Sequence, residues 1–205
     1  MNKKFLRAGI FLTGFAALTW MLLAIDTAPI GPMGSAVGLS TLNRLFHDFT
    51  GVHIIPLGIV MGFGALGLTQ WFCRKKIMLV DFDILVLGVF YFVILAIFVY
   101  FEIFVVNYRP VLIEGILEAS YPSSTTVLVM CVMPTAMMQA NWRMKNSVVK
   151  NTHVCLMGCF SIFMVLARMI SGVHWLTDIL GGALLSAGLV ILYDAVCSFY
   201  KKSSL

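Results

Sequence analysis

The chain has 205 residues, is 60% hydrophobic, has a mean hydropathy of +0.98 and carries a formal net charge of +5. Soluble domains average about 45–50% apolar residues, so this composition excludes a water-soluble globular protein and predicts an integral membrane protein. The positive charge does not signal nucleic-acid binding, because no basic patch is interleaved with stacking aromatics.

Crossing a bilayer takes about 20 apolar residues. Runs of that kind predict six spans, at Phe5–Ile25, Ile54–Phe72, Ile84–Val105, Thr126–Ala140, Val154–Ile170 and Leu176–Phe199. The expected fold class is therefore all-α, one integral membrane bundle of six transmembrane helices, with no soluble domain across 1–205. Lys3, Lys4 and Arg7 precede a first apolar run that is too long for an ordinary signal sequence, which reads as a retained signal anchor. The following loop, Asp26 to His53, is irregular from Ala28 to Gly38. After it, Leu39, Leu42, Leu45, Phe46 and Phe49 recur at helical spacing, with Asn43, Arg44, His47 and Asp48 between them. That pattern predicts an external amphipathic helix between the first two spans, lying at the interface. It would roof a site, admit a lipid sideways into one, or simply connect the spans.

In the second span Gly58 and Gly62 form a G-x-x-x-G pair, followed by Gly64 and Gly67, which predicts close helix packing within the bundle, with dimerisation as the alternative. Asp81 and Asp83 read as ordinary interfacial charges before the third span, and Tyr108 and Tyr121 as interface anchors. The fourth span is short and starts within the preceding Ser/Thr cluster. Cys155 and Cys159 share a face of the fifth, where packing is a better reading than a metal site that lacks further ligands.

Lys and Arg set orientation. A cytoplasmic N-terminus puts Lys3, Lys4, Arg7, Arg74, Lys75, Lys76, Arg143, Lys145, Lys150, Lys201 and Lys202 inside, leaving only Arg44, Arg109 and Arg168 of the 14 basic residues outside. The C-terminus is then cytoplasmic too. Compactness and the lack of organelle signals favour a bacterial plasma membrane. Against this bias, an external arginine needs a reason.

Three stretches meet on the outer side under this topology: Asn107-Tyr108-Arg109-Pro110, Tyr121-Pro122-Ser123-Ser124-Thr125-Thr126, and Arg168 through Asp178. Ionisable groups are costly in a membrane and usually mark function. His174 and Asp178 lie four residues apart, on one face if helical, so the carboxylate can hold the imidazole. A helix start at Ser123 offers backbone N–H groups to an anion, and two guanidiniums can clamp phosphate oxygens. An Asp-backed His can attack the phosphorus.

Arg109-Pro110, Pro122-Ser123-Ser124 and Arg168-x5-His174-x3-Asp178 resemble the three signature motifs of the type 2 phosphatidic acid phosphatase superfamily, over about half the chain, from Glu102 to Gly182. The resemblance implies a lipid phosphatase in which His174 is the nucleophile, forming a phosphohistidine, and Asp178 orients it. It also implies phosphate binding by Arg109, Arg168 and Ser123. Ser124 and Thr125 complete the expected phosphate-binding cluster. Two positions depart from the family pattern. Glu102 stands where the first motif has a Lys, and Thr125 where the second motif has the His that protonates the leaving oxygen. Losing a general acid costs about 10²–10⁴-fold, but only where the leaving group needs a proton. An alkoxide does. A lipid monophosphate leaving from a pyrophosphate does not, since its last pKa is about 6. The sequence therefore predicts a preference for lipid pyrophosphates, undecaprenyl pyrophosphate among them, with Glu114 or Glu118 as alternative acids and Glu102 free to pair with Arg109. His47 and His53, which flank the external helix, could also supply a proton, although a lone interfacial histidine is more often structural.

The expected function is thus a membrane lipid phosphatase acting at the extracytoplasmic face on a phosphorylated or pyrophosphorylated lipid. The alternative is a catalytically impaired homologue that binds or moves such a lipid. The expected partners are that lipid and the bilayer, with no nucleic acid. No cofactor or metal is expected, because no carboxylate cluster offers ligands.

Overall fold

The apolar runs form helices whose lengths follow the apolar stretches. The structure, a computed structural model, describes residues 3–24, 41–51, 53–113 and 115–203, with the backbone alone for 41–44 and 51. The helices are α1 (Lys3–Ala24), α2 (Thr41–Gly51), α3 (Ile54–Arg74), α4 (Phe82–Ile103), α5 (Ser124–Arg143), α6 (Ser147–Ile170) and α7 (Leu176–Ser203). Leu39, the irregular Ala28–Gly38 segment, Ile25 and Glu114 lie outside the described residues. The amphipathic helix expected after the first span is α2; it packs on α6, with Phe49 edge-on to Phe163 at 5.5 Å between ring centroids.

The helices α1, α3, α4, α6 and α7 fall in five segments long and apolar enough to cross a membrane. Helix α5, 20 residues long, differs for a physical reason. It is the axis of the bundle, in contact with α3, α4, α6 and α7. Its Val129, Cys131, Val132, Met133 and Thr135 are all 0% exposed. A helix sheathed by other helices does not need an apolar face toward lipid, so it keeps polar groups that find partners inside. Gln139 Nε2 donates to the Tyr193 hydroxyl at 2.7 Å, and the Thr135 hydroxyl donates to the Cys131 carbonyl at 2.8 Å.

Polar contacts tie each end of the bundle together. At one end Lys4 pairs with Asp194 at 2.6 Å, Arg143 with Asp81 at 2.8 Å and Asp83 at 2.7 Å, and Arg74 with Asp81 at 2.8 Å. Asp81 and Asp83 are therefore more than isolated interfacial charges: they fasten α3, α4 and α5 together. The hydrogen bonds from Arg143, and next from Arg74, push the Asp81 carboxyl down to about 2. The other end holds the α4–α5 connection, the start of α3, the end of α6 and the start of α7.

Two glycines set how closely the α7 axis approaches its neighbours. A Cβ at Gly188 would lie 2.7 Å from Leu12 Cγ, and one at Gly181 would lie 2.7 Å from Tyr121 Cζ and its hydroxyl oxygen. Tyr121 is not the interface anchor expected from the sequence: it is 1% exposed, stacked on Phe15 at 5.9 Å, with its hydroxyl 2.9 Å from that of Thr19. Gly181→Ala is expected to lower the thermal midpoint in detergent by the equivalent of about 1–3 kcal/mol, the usual cost of overpacking. An unchanged midpoint would contradict this packing.

The G-x-x-x-G expectation is corrected. Gly58 and Gly62 have nothing within 4 Å of where a Cβ would sit, and it is Gly67 that packs closely, 3.2 Å from Ile84 Cγ2. The helix pair meets one turn further along than the motif indicates. The packing role expected for Cys155 and Cys159 is corrected as well, since both side chains are exposed on the outside of the bundle.

Candidate active site

The connection from α4 to α5 folds back on itself instead of wandering. Tyr108 bridges Ala119, Ile113 bridges Ile116, and the tip turns at Gly115 with φ of 81°. Backbone bonds from Arg109 N to Glu118 O at 3.1 Å and from Ser120 N to Asn107 O at 3.0 Å close this hairpin-like loop. It thereby presents Asn107, Arg109 and Ser120 side by side. At the far side, Gly172 takes φ of 67° and reverses the chain between α6 and α7, placing His174 next to the Arg168 it follows.

Asp178 is the hub. It is 0% exposed and sits in the first turn of α7, where a carboxylate is favoured by the unpaired N–H groups of the helix start. Its Oδ2 accepts the backbone N–H of Trp175, the residue before α7, at 2.8 Å, which is half of a capping box. The same oxygen accepts the Ser120 hydroxyl in a short hydrogen bond and lies 3.4 Å from His174 Nδ1. Oδ1 accepts Asn107 Nδ2 at 3.2 Å. The Asp178 carbonyl also accepts Ser123 N–H at 3.1 Å, joining the start of α5 to the start of α7.

His174 is 8% exposed. Its Nδ1 lies 3.1 Å from Ser120 Oγ, so an Nδ1–H donated there continues through the Ser120 hydroxyl to Asp178. On the other edge, Arg168 Nη2 lies 3.0 Å from Nε2. A guanidinium has no lone pair to offer, so Arg168 donates and Nε2 is the unprotonated nitrogen. Burial lowers the His174 pKa below its ordinary value; the Asp178 hydrogen bond opposes this, and Arg168 and Arg109 add to it. The result is a neutral imidazole with its proton on Nδ1 and its lone pair on Nε2, which is the form a nucleophile requires.

Arg168 is 3% exposed, and its Nη1 donates to the Thr50 hydroxyl at 3.1 Å. Arg109 pairs with Glu118 at 3.1 Å. Burial lowers the pKa of Arg109, with Glu118, Glu102 and Asp178 in that order opposing it. Glu102 is thus near Arg109, yet the ion pair forms with Glu118, which makes Glu118 a poor candidate for a free acid. Three guanidinium nitrogens, Arg109 Nε and Nη1 and Arg168 Nε, are buried with no hydrogen-bond partner among the described residues. An unpaired buried donor costs about 1–3 kcal/mol, more when charged. An anion carrying several acceptor oxygens would relieve that cost at both arginines together.

The Ser/Thr cluster divides its work. Ser123, 0% exposed, caps α5, its oxygen accepting from the Thr126 hydroxyl at 3.0 Å. Ser124 lines a cavity of about 540 Å³ together with Arg109, Ser120, Glu102, His53 and His174. Thr125, 1% exposed, places its hydroxyl 3.1 Å from His53 Nε2. Beyond this polar mouth the cavity runs between α3, α4 and α5 along Leu57, Ile94, Phe98, Phe101, Leu128 and Val132. The structure thus brings together His174, Asp178, Arg168, Arg109 and Ser124. It adds three residues that sequence reasoning did not single out: Ser120, Asn107 and Thr50. No spacing signal marks them, because each reaches the site across a loop or from another helix. Trp175 secures the hairpin loop, with Nε1 donating to the Tyr108 carbonyl at 2.9 Å.

Comparison with known proteins supplies a family. The profile described as PAP2 superfamily matches residues 103–201, the stretch that carries Arg109, the start of α5, Arg168, His174 and Asp178. No curated protein matches the chain. The fold is similar to the crystal structure of the first transmembrane PAP2 type phosphatidylglycerolphosphate phosphatase from Bacillus subtilis, at 20% identity and a TM-score of 0.61, over 94% of this chain and 96% of that one.

Proposed function

From that match and the geometry of the site we propose that the chain is a membrane lipid phosphatase that works through a phosphohistidine on His174. The observation that carries the reading is the neutral His174, with Nδ1 tied to Ser120 and Asp178 and Nε2 beside Arg168, at the polar mouth of a cavity whose depth is apolar. An amphiphile fits such a cavity, its phosphate at the mouth and its hydrocarbon between α3 and α4. In this reading the phosphate oxygens take over the Arg168 hydrogen bond from Nε2 and engage the unpaired N–H groups of Arg109 and Arg168. Ser124 and the start of α5 add further donors. Nε2 then attacks phosphorus as the bond to the lipid oxygen breaks, and water later cleaves the nitrogen–phosphorus bond to release phosphate. The site faces the extracytoplasmic side of a plasma membrane, because most Lys and Arg gather at the opposite end of the bundle, where both termini lie.

Phosphate release by the detergent-purified protein from a lipid phosphomonoester and from prenyl pyrophosphates, undecaprenyl pyrophosphate included, tests the proposal. Release from none of them would end it. In the same assay, Arg109→Ala is expected to lower kcat/KM by about 10²–10³-fold, as for removal of one oxyanion donor. Equal kcat/KM would remove Arg109 from the phosphate site.

A further inference from the structure

Breaking a bond from phosphorus to an alkyl oxygen leaves an alkoxide, which must take up a proton as it departs. His174 cannot supply it: Nε2 is the attacking atom and Nδ1 is committed to Ser120 and Asp178. Arginines do not release protons in this range. Glu118 is held by Arg109, Glu102 lies in the field of the same guanidinium, and Ser and Thr hydroxyls are too weak as acids. The cavity has one other imidazole on its lining, that of His53 at the start of α3.

His53 is held over the site by contacts on both sides of it in the chain. Three residues earlier, the buried Thr50 hydroxyl accepts from Arg168 Nη1 at 3.1 Å and donates to the Phe46 carbonyl at 2.7 Å. The His53 ring itself meets the Thr125 hydroxyl through Nε2 at 3.1 Å. Among the described residues no group pairs with its Nδ1. One edge of the ring is fixed and the other is left for substrate.

We infer that His53 is the proton donor to the leaving lipid oxygen. The inference rests on the reading of His174 as nucleophile. As Nε2 of His174 bonds to phosphorus and the lipid oxygen–phosphorus bond breaks, the His53 imidazolium passes its Nδ1 proton to that oxygen, releasing a neutral alcohol. The negative charge of the bound phosphate favours the charged ring, whose Nε2–H Thr125 Oγ1 accepts. Water then attacks the phosphohistidine and carries its two protons into the product as dihydrogen phosphate; the nitrogen–phosphorus bond breaks, His174 regains its lone pair, and His53 takes back a proton from the departing phosphate. With this donor in place, Thr125 does not deprive the site of a general acid. It positions one that comes from another helix, and the sequence-based ground for a pyrophosphate preference falls away.

The test is a substrate split on the full-length protein in detergent, comparing wild type with His53→Gln, whose amide retains a hydrogen bond to Thr125 but transfers no proton. On a long-chain alkyl phosphomonoester the variant is expected to lose about 10²–10⁴-fold in kcat, while on a prenyl pyrophosphate, whose leaving phosphate needs no proton, it loses less than about tenfold. Retained pyrophosphate turnover also shows that the variant is folded. Equal losses on both substrates, or no loss on the monoester, would overturn the assignment of His53 while leaving that of His174 intact. Absence of turnover of either substrate by wild type would overturn both.

Discussion

Replacing His174 with Ala is expected to reduce phosphate release by about 10⁶-fold, as happens when the nucleophile of a covalent mechanism is removed. The reason lies in how little else at the site can attack phosphorus. Ser120 donates to Asp178, Ser123 is spent on capping α5, and Thr125 is bonded to His53. The two arginines can hold a phosphate but cannot form a bond to it. The bundle should survive the change, because His174 sits in the short α6–α7 turn and contributes no large apolar surface to the core. An unaltered circular dichroism spectrum together with lost phosphate release would confirm that chemistry and not folding was removed. Turnover within tenfold of wild type would favour the alternative in which the chain binds or moves a phosphorylated lipid.

Asp178→Asn should cost about 10⁴-fold, the loss seen when an imidazole is offered an amide in place of its carboxylate. The physical argument is about which nitrogen carries the proton. Asp178 Oδ2 accepts from Ser120 and Trp175 N–H and lies 3.4 Å from His174 Nδ1, so the carboxylate draws the imidazole proton to Nδ1, directly and through Ser120. An amide presents N–H groups on one side. If its NH2 turns toward Ser120, the serine must reverse its own bond and donate to Nδ1, which shifts the proton to Nε2 and removes the attacking lone pair. If it turns toward Asn107, that donor is left facing another donor. The amide is almost the same size; turned toward Asn107 it keeps the Trp175 N–H bond, and turned toward Ser120 it gives up that one bond, about 0.5–1.5 kcal/mol, so the start of α7 should hold. Expression and thermal midpoint near those of wild type, with phosphate release lost, are the expected pair of results. Activity within tenfold of wild type would mean that Asp178 is a structural cap alone.

Much of this was legible in the chain, and the reasons differ by residue. The apolar runs located α1, α3, α4, α6 and α7 because their outer faces meet lipid, where composition is constrained. Helix α5 was read as short and weak because its partners are other helices; Gln139 and Thr135 are satisfied internally and lower its hydropathy without harm. Arg168, His174 and Asp178 were readable because the end of α6, the short turn after it and the first turn of α7 hold all three close together in the chain, so spacing alone places them. Ser120, Asn107 and Thr50 were not, because their roles depend on how the α4–α5 loop folds and on where α2 ends against α6. His53 illustrates the limit most clearly: the sequence offers it, like His47, as a proton source but gives no reason to choose between them. It lies 72 positions from Thr125 in the chain, and no local pattern links an imidazole that opens one helix to a hydroxyl in the first turn of another.

The covalent state of His174 during turnover is the most direct measurement. Wild-type protein mixed with a lipid phosphomonoester, quenched within one turnover under alkaline conditions and analysed by peptide mass spectrometry, should carry a phosphoryl group on the peptide containing His174. That group should be labile to acid and absent from the His174→Ala protein. Sustained phosphate release with no phosphoryl group ever found on His174 would contradict the account.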